Sequence, residues 1–254
     1  MAINNPNKQL MHDIEAQFLC DQFLGGSWLP VDKSTPEPQS MAKIIPNDPS
    51  VQKAEIDKGQ QLHELYALIS QCQKCPLGQT RLNIVPGQGN PNSRIVFVGE
   101  APGQQEDQQG LAFIGNAGKL LTNIINAMGF QRNDIYIANI LKCRPPQNRD
   151  PKPDEIMHCI DYLHQQLQII NPEIIVALGS HAAHTLLDTT TPIGQLRGKT
   201  HQYLPGQNAN PIKLIATYHP AYLLRNYTQD TRLKVWQDMK SVLKELNMPI
   251  PQKK

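Results

Sequence analysis

Apolar residues in this chain follow two rhythms that alternate from about residue 94 onward. Four short runs are rich in β-branched residues: Arg94-Ile95-Val96-Phe97-Val98-Gly99, Ile135-Tyr136-Ile137-Ala138-Asn139-Ile140, Ile174-Ile175-Val176-Ala177-Leu178-Gly179 and Leu214-Ile215-Ala216-Thr217-Tyr218. Three of them are nearly continuous in apolar residues, as strands covered on both faces are. Between and after them the spacing changes to that of helices. Leu120, Leu121, Ile124, Ile125 and Met128 form one stripe; Ile156, Cys159, Ile160, Leu163, Leu167 and Ile170 form another behind Pro153. A short helix over His181 to Leu187 and a closing one through Trp236, Met239, Leu243 and Leu246 complete the series. This alternation predicts a three-layer α/β/α sandwich with a four-stranded parallel sheet.

Upstream, Leu62, Leu65, Leu68 and Ile69 at helical spacing lead into Cys72, so the folded domain is expected over residues 56–254. Residues 1–55 collect Pro30, Pro36, Pro38, Pro46 and Pro49 among polar residues, with one apolar patch around Phe18, Phe23 and Trp28. They read as a poorly ordered or loosely packed N-terminal extension. A chain of 254 residues with 39% apolar composition suffices for one core and such an appendage. No apolar run approaches the roughly 20 residues that span a bilayer, and the Asn-rich start lacks the basic-then-apolar order of a secretory signal. A cytoplasmic protein without a membrane partner is the expectation. A net charge of +2 gives little global attraction for polyanions, so any nucleic-acid contact must come from a local basic surface.

Five cysteines are too few for a disulfide scaffold, and their odd number argues against a fully paired secreted protein. Cys72 and Cys75 form a C-x2-C pair that can reach one metal from a single turn; Cys143 and Cys159 could supply two further thiolates. Zinc and iron-sulfur clusters both accept four thiolates, and spacing alone does not choose between them. Cys20 is left over.

In open parallel sheets, ligands collect beyond the carboxyl ends of the strands. Polar residues stand at all four ends: Gly99-Glu100-Ala101-Pro102-Gly103 after the first, Asn139 with Lys142-Cys143-Arg144 after the second, Gly179-Ser180-His181 after the third, and His219-Pro220 after the fourth. Gly99 and Gly103 let the backbone approach a ligand closely, and Glu100 or Glu106 is of the type that polarises a water. Phe113, in a glycine-bounded loop, offers a ring for stacking on a flat base, and the amide of Asn139 can read a pyrimidine edge. His219 can donate to charge developing on a departing group. Leu223 and Leu224 beside Arg225 have the mixed character of a loop that wedges into a base stack while gripping phosphate.

Four segments in order, Gly99-Glu100-Ala101-Pro102-Gly103, Phe113-Ile114-Gly115-Asn116-Ala117-Gly118, Asn139-Ile140-Leu141-Lys142-Cys143-Arg144-Pro145-Pro146 and His219-Pro220-Ala221-Tyr222-Leu223-Leu224-Arg225, resemble the successive motifs of family 4 uracil-DNA glycosylases. The resemblance runs from about Cys72 to Leu246. It implies a monomeric enzyme that extrudes deoxyuridine from DNA, hydrolyses the N-glycosidic bond and so begins base excision repair. It also implies a [4Fe-4S] cluster on Cys72, Cys75, Cys143 and Cys159, with zinc as the alternative. In that frame Phe113 would stack on uracil, Asn139 would read its edge, and backbone from Gly99 to Ala101 would contact it. His219 would stabilise the leaving anion, and Glu100 or Glu106 would handle the water. Lys142 and Arg144 would lie near phosphate on a loop braced by the cluster, with Leu223, Leu224 and Arg225 completing the DNA contact. The chain departs from the family pattern at Gln104 and Gln105, where relatives often carry acids, and at Ala221, where many have serine.

A relative that becomes covalently trapped on uracil-containing DNA typically has glutamine in the first motif and an added basic loop. Glu100 is present and Gly194 to His201 shows no such insertion, so ordinary turnover is expected. A non-catalytic, metal-stabilised DNA-binding module is the other alternative. A nucleotide-handling hydrolase would explain the sheet, but the chain lacks a G-x4-G-K-[ST] loop and a G-x-G-x-x-G fingerprint at the first strand.

Overall fold

The computed structural model describes residues 57–206 and 210–251; the expected N-terminal extension, with Cys20, lies outside them. In chain order the elements are α1 (Lys58–Ser70), α2 (Leu77–Thr80), β1 (Gln88–Gly89), β2 (Ile95–Gly99), α3 (Gln104–Gln109), α4 (Asn116–Ala127), β3 (Tyr136–Asn139), α5 (Pro153–Ile170), β4 (Ile174–Leu178), α6 (Ser180–Leu187), α7 (Ile193–Leu196), β5 (Thr200–Tyr203), β6 (Ile212–Thr217), α8 (Pro220–Arg225) and α9 (Gln229–Glu245). The expected strands and the four main helices all form.

The strand order is β1-β3-β2-β4-β6-β5. The central four pair in parallel, as expected, but the sheet has six strands rather than four. β1 pairs antiparallel with β3, and β5 antiparallel with β6. Neither edge strand carries an apolar run: β1 has two residues, and β5 is Thr-His-Gln-Tyr with its exposure changing along the strand. Edge strands tolerate such polar composition because only one face and one edge need covering.

Alternate residues of each central strand enter opposite layers, as the two-residue period of a strand requires. Phe97, Ile137, Val176 and Ile215 face α4 and α9 through Leu121, Ile125, Trp236 and Met239. Val98, Ala138, Ala177 and Ala216 face α1, α5 and α6 through Leu65, Leu163, Leu167 and Ala183. α5 begins with Pro at its first turn, and the Glu155 carboxylate accepts from the Lys152 amide at 2.9 Å. The same carboxylate takes both terminal nitrogens of Arg149, at 2.6 and 2.9 Å, and so fastens the loop after β3 to the helix. Among the described residues no helix is long and apolar enough to cross a membrane.

One buried ion pair braces the end of β6. Asp238, fully buried on α9, accepts from Arg197 Nη2 at 2.9 Å and from Thr217 Oγ1 at 2.7 Å. Burial pushes its carboxyl up to about 6, against the opposing pull of Thr217 and Arg197. Removing the guanidinium leaves a buried carboxylate without its counter-charge, so Arg197→Ala should cost about 3 kcal/mol at pH 8 in a urea unfolding titration. The loss should be smaller at pH 5, where the carboxyl has taken a proton.

Candidate active site

Parallel register brings four strand ends to one level. Gly99 is the register partner of Asn139, and Leu178 that of Thr217. The residues that follow therefore converge on one crevice. Gly99 is needed where it stands: a Cβ there would overlap Asn139 Oδ1 and come within 2.5 Å of Phe113 Cζ. Across the crevice Gly179 has φ +89°, and a Cβ on it would lie 2.8 Å from the His219 Cβ. Two absent side chains thus make room for a ring, an amide and an imidazole.

Phe113 and His219, from segments far apart in sequence, have ring centroids 5.8 Å apart and planes tilted by 36°. Phe113 holds φ +51°, a left-handed conformation that costs a non-glycine residue on the order of 1 kcal/mol. Its flanks explain how this is sustained. Glu106 Oε1 accepts from the backbone amides of Ile114, at 3.0 Å, and Gly115, at 2.9 Å, while Arg132 Nη2 donates to the Ala112 carbonyl at 2.6 Å. Glu106 is therefore engaged in shaping the Phe113 loop.

Asn139 is buried, and its Oδ1 has no hydrogen-bond partner among the described residues. An acceptor held away from water without a donor costs about 1–3 kcal/mol, so it marks a place where a ligand donor belongs. His219 caps the N-terminus of α8: its Nδ1 accepts from the Ala221 amide at 3.1 Å, which leaves the ring proton on Nε2. Burial, with help from Arg225 and His181 and against Glu106, pulls its pKa down to about 4. At neutral pH the ring is an uncharged donor.

Glu100 follows β2 and is half-buried, with Ala101 behind it against the α5 side of the core. Burial raises its pKa; His181 opposes the rise and Asp150 adds to it. His181 Nε2 lies 3.9 Å from Glu100 Oε2 and 3.5 Å from Asp150 Oδ1. Asp150 had no sequence signal, being one acid in a polar loop, and His181 was marked only by its place at a strand end.

The five expected DNA contacts are placed differently from one another. Lys142 is fully buried, so the expectation of a phosphate contact is corrected; its ammonium binds the Asn139 carbonyl and Gln166 instead. Burial lowers its pKa to about 8, with Cys159 and Cys143 opposing. Leu223 is likewise corrected: it is a core residue packed with α4 and α9. Its neighbour Leu224 is 45% exposed on α8, and Arg225 is exposed beside it. Arg144 is half-buried, with Nε donating to Asn148 Oδ1 at 2.7 Å. His201 sits in β5 with Nε2 against the Leu196 carbonyl at 2.9 Å.

Cys72, Cys75, Cys143 and Cys159 line one hollow, together with Arg81, Lys142 and Tyr162. Cys72 and Cys75 come from the turn between α1 and α2, Cys143 from the loop after β3, and Cys159 from α5. All four are free thiols. Arg81 Nη1 donates to Cys143 Sγ at 3.2 Å, and the Lys142 amide to Cys159 Sγ at 3.3 Å. Burial raises Cys143 and pushes Cys159 up to about 11, so ligation must release protons there. Glu100, Asp150 and His181 form a separate triad whose ligand atoms all lie within 4.8 Å of one another.

Comparison with known proteins agrees with this geometry. Residues 86–240 match the family model described as the uracil DNA glycosylase superfamily. A type-4 uracil-DNA glycosylase of Thermotoga maritima is 44% identical over 181 residues, covering 69% of this chain and 92% of that protein. One from Archaeoglobus fulgidus is 44% identical over 185 residues, covering 71% and 91%. A type-5 enzyme of Pyrobaculum aerophilum is more distant, 29% identical over 158 residues, covering 55% and 66%. With a matched model across most of the described residues and relatives aligned over nearly their whole length, the chain belongs to the uracil-DNA glycosylase superfamily, on its type-4 branch.

Proposed function

We propose that this chain is a uracil-DNA glycosylase that extrudes deoxyuridine and hydrolyses its N-glycosidic bond, leaving an abasic site for base excision repair. The observation that carries the reading is the unpartnered Oδ1 of Asn139, buried beside the ring of Phe113. Uracil presents an N3–H to such an acceptor. Cytosine presents a lone pair at the same position, so the site that welcomes one repels the other. Phe113 supplies the stacking face that a flat base needs, and backbone from Gly99 to Ala101 closes the pocket. A non-catalytic DNA-binding module would have no use for a desolvated acceptor at the bottom of a crevice.

Bringing the nucleotide out of the duplex costs a few kcal/mol, recovered from pocket contacts and from the residues that fill the gap. Leu224 is the exposed apolar wedge, and Arg225 and Arg144 are the cations placed for phosphate. As the glycosidic bond breaks, electrons pass to uracil N1 and its adjacent O2. The Nε2–H of neutral His219 donates to that developing charge. Glu100, free of the backbone bonds that engage Glu106, orients the water and accepts its proton as the oxygen adds to C1′. Cys72, Cys75, Cys143 and Cys159 would hold a [4Fe-4S] cluster. Four thiolates suit a cluster or a single zinc alike, and the resemblance to family 4 favours the cluster. When bound, the cluster cross-links three segments and lends no electrons to a hydrolysis that is redox-neutral. The reading includes action as a monomer on DNA inside the cell.

Purified protein should produce alkali-labile sites in uracil-containing oligonucleotides and none in matched thymine-containing ones. Asn139→Ala should slow uracil release in single-turnover assays by about a hundredfold while affinity for abasic DNA stays close to wild type. Loss of both together would contradict the assigned role.

Because Glu100 must be ionised to act and its pKa is raised, kcat/KM should fall with decreasing pH at values above the ordinary carboxylate range. That limb should vanish from the residual activity of Glu100→Gln. His219, held at about 4, should contribute no transition near 6.5.

Elemental analysis should find iron with acid-labile sulfide and a brown absorbance, and Cys159→Ser should lower the iron-to-protein ratio. Stoichiometric zinc in place of iron would overturn the cluster assignment.

A further inference from the structure

Lys142 lines the cysteine hollow, and its ammonium reaches from there to the carbonyl of Asn139. Its Nζ donates to the Asn139 carbonyl at 2.7 Å and to Gln166 Oε1 on α5 at 2.6 Å. Its own backbone amide donates to Cys159 Sγ at 3.3 Å, and its carbonyl accepts from the Val85 amide at 2.8 Å. Gln166 is fixed in turn: Nε2 donates to the Pro86 carbonyl at 2.7 Å and to the Tyr136 hydroxyl at 3.1 Å, which meets the hydroxyl of Tyr66. An ammonium in the interior is thus held by two neutral acceptors, an arrangement that needs a reason beyond packing.

Asn139 supplies one. Its Oδ1 has no partner among the described residues, and no hydrogen bond from them to that atom aims the amide. The direction must come from the backbone that carries it. β3 ends at Asn139, and beyond it the chain bends away, with Ile140 and Leu141 donating to the carbonyls of Gly99 and Glu100. The Asn139 carbonyl is gripped at this bend by the ammonium three residues later.

We propose that Lys142 is a positioning residue for base recognition: by holding the Asn139 carbonyl it aims the Asn139 amide, and through Cys159 it ties that aim to the cysteine hollow. The inference rests on the reading of Asn139 as the group that meets uracil. Displacements of about 1 Å at a reacting site lower rates by up to a hundredfold, so a residue acting only through its neighbour can still be felt in the chemistry.

The test is a double-mutant cycle on the full-length, cluster-loaded protein, with single-turnover uracil release, iron-to-protein ratio and affinity for abasic DNA read for each variant. Lys142→Met should lower the rate of uracil release by about tenfold or more, with iron content and abasic-DNA affinity at wild-type levels. In an Asn139→Ala background the same substitution should lower it by less than about twofold, because the group it aims has gone. Gln166→Met removes the other acceptor of Nζ without touching the cysteine-bearing loop. It should lower the rate in the same Asn139-dependent way, and it carries the test if Lys142→Met does not fold. Equal fold-losses in both backgrounds, no loss in either, or loss of iron in step with the rate would overturn the proposal. Full activity in Asn139→Ala alone would instead overturn the base-reading role on which it stands.

Discussion

Four parallel strands ending at one level, two of them followed or closed by a glycine that leaves space above the sheet, set the terms for everything else in this molecule. Parallel pairing aligns Gly99 with Asn139 and Leu178 with Thr217, so the groups that follow have no choice but to meet. The missing side chains of Gly99 and Gly179 decide what they meet as, because a Cβ on the first would collide with the Phe113 ring and the Asn139 amide and one on the second with His219. The surrounding layers make that arrangement affordable, since both faces of the sheet are packed with apolar residues and carry the stability that the polar crevice does not.

Within the crevice, chemically similar residues receive different work from their surroundings. Glu100 and Glu106 lie six positions apart, yet one is tied to two backbone amides and the other faces an imidazole and a second carboxylate. The first shapes a strained loop; the second retains its lone pairs for water. His219 is made an uncharged donor by burial and by the amide hydrogen bond at its other nitrogen. The imidazole thereby brings no charge of its own to the pocket, and when the base departs a donor already in place meets the developing charge without reorganisation.

The parts of this picture legible in the sequence are those written in local patterns. Continuous β-branched runs marked the central strands, helical stripes marked the covering layers, and polar residues at strand ends pointed to a shared crevice. What escaped was decided by long-range geometry. β1 and β5 are too short and too polar to show as strands, because an edge needs little apolar cover. Lys142, beside Cys143 and Arg144, read as surface charge; its acceptors, the Asn139 carbonyl and Gln166, are a backbone atom and a distant residue that no pattern connects to it. Leu223 and Leu224 looked equivalent as neighbours, and only the turn of α8 sends one into the core and the other outward. Asp150 became visible only when the loop held by Arg149 and Glu155 brought it to His181.

The central claim is that a lone acceptor on Asn139 awaits the N3–H of uracil between the ring of Phe113 and the Nε2–H of His219. A crystal structure of the protein with free uracil tests it most directly. The base should lie against Phe113, donate N3–H to Asn139 Oδ1 and turn O2 toward His219 Nε2. Uracil bound in this pocket with Asn139 Oδ1 still unbonded, or bound elsewhere on the molecule, would contradict the account.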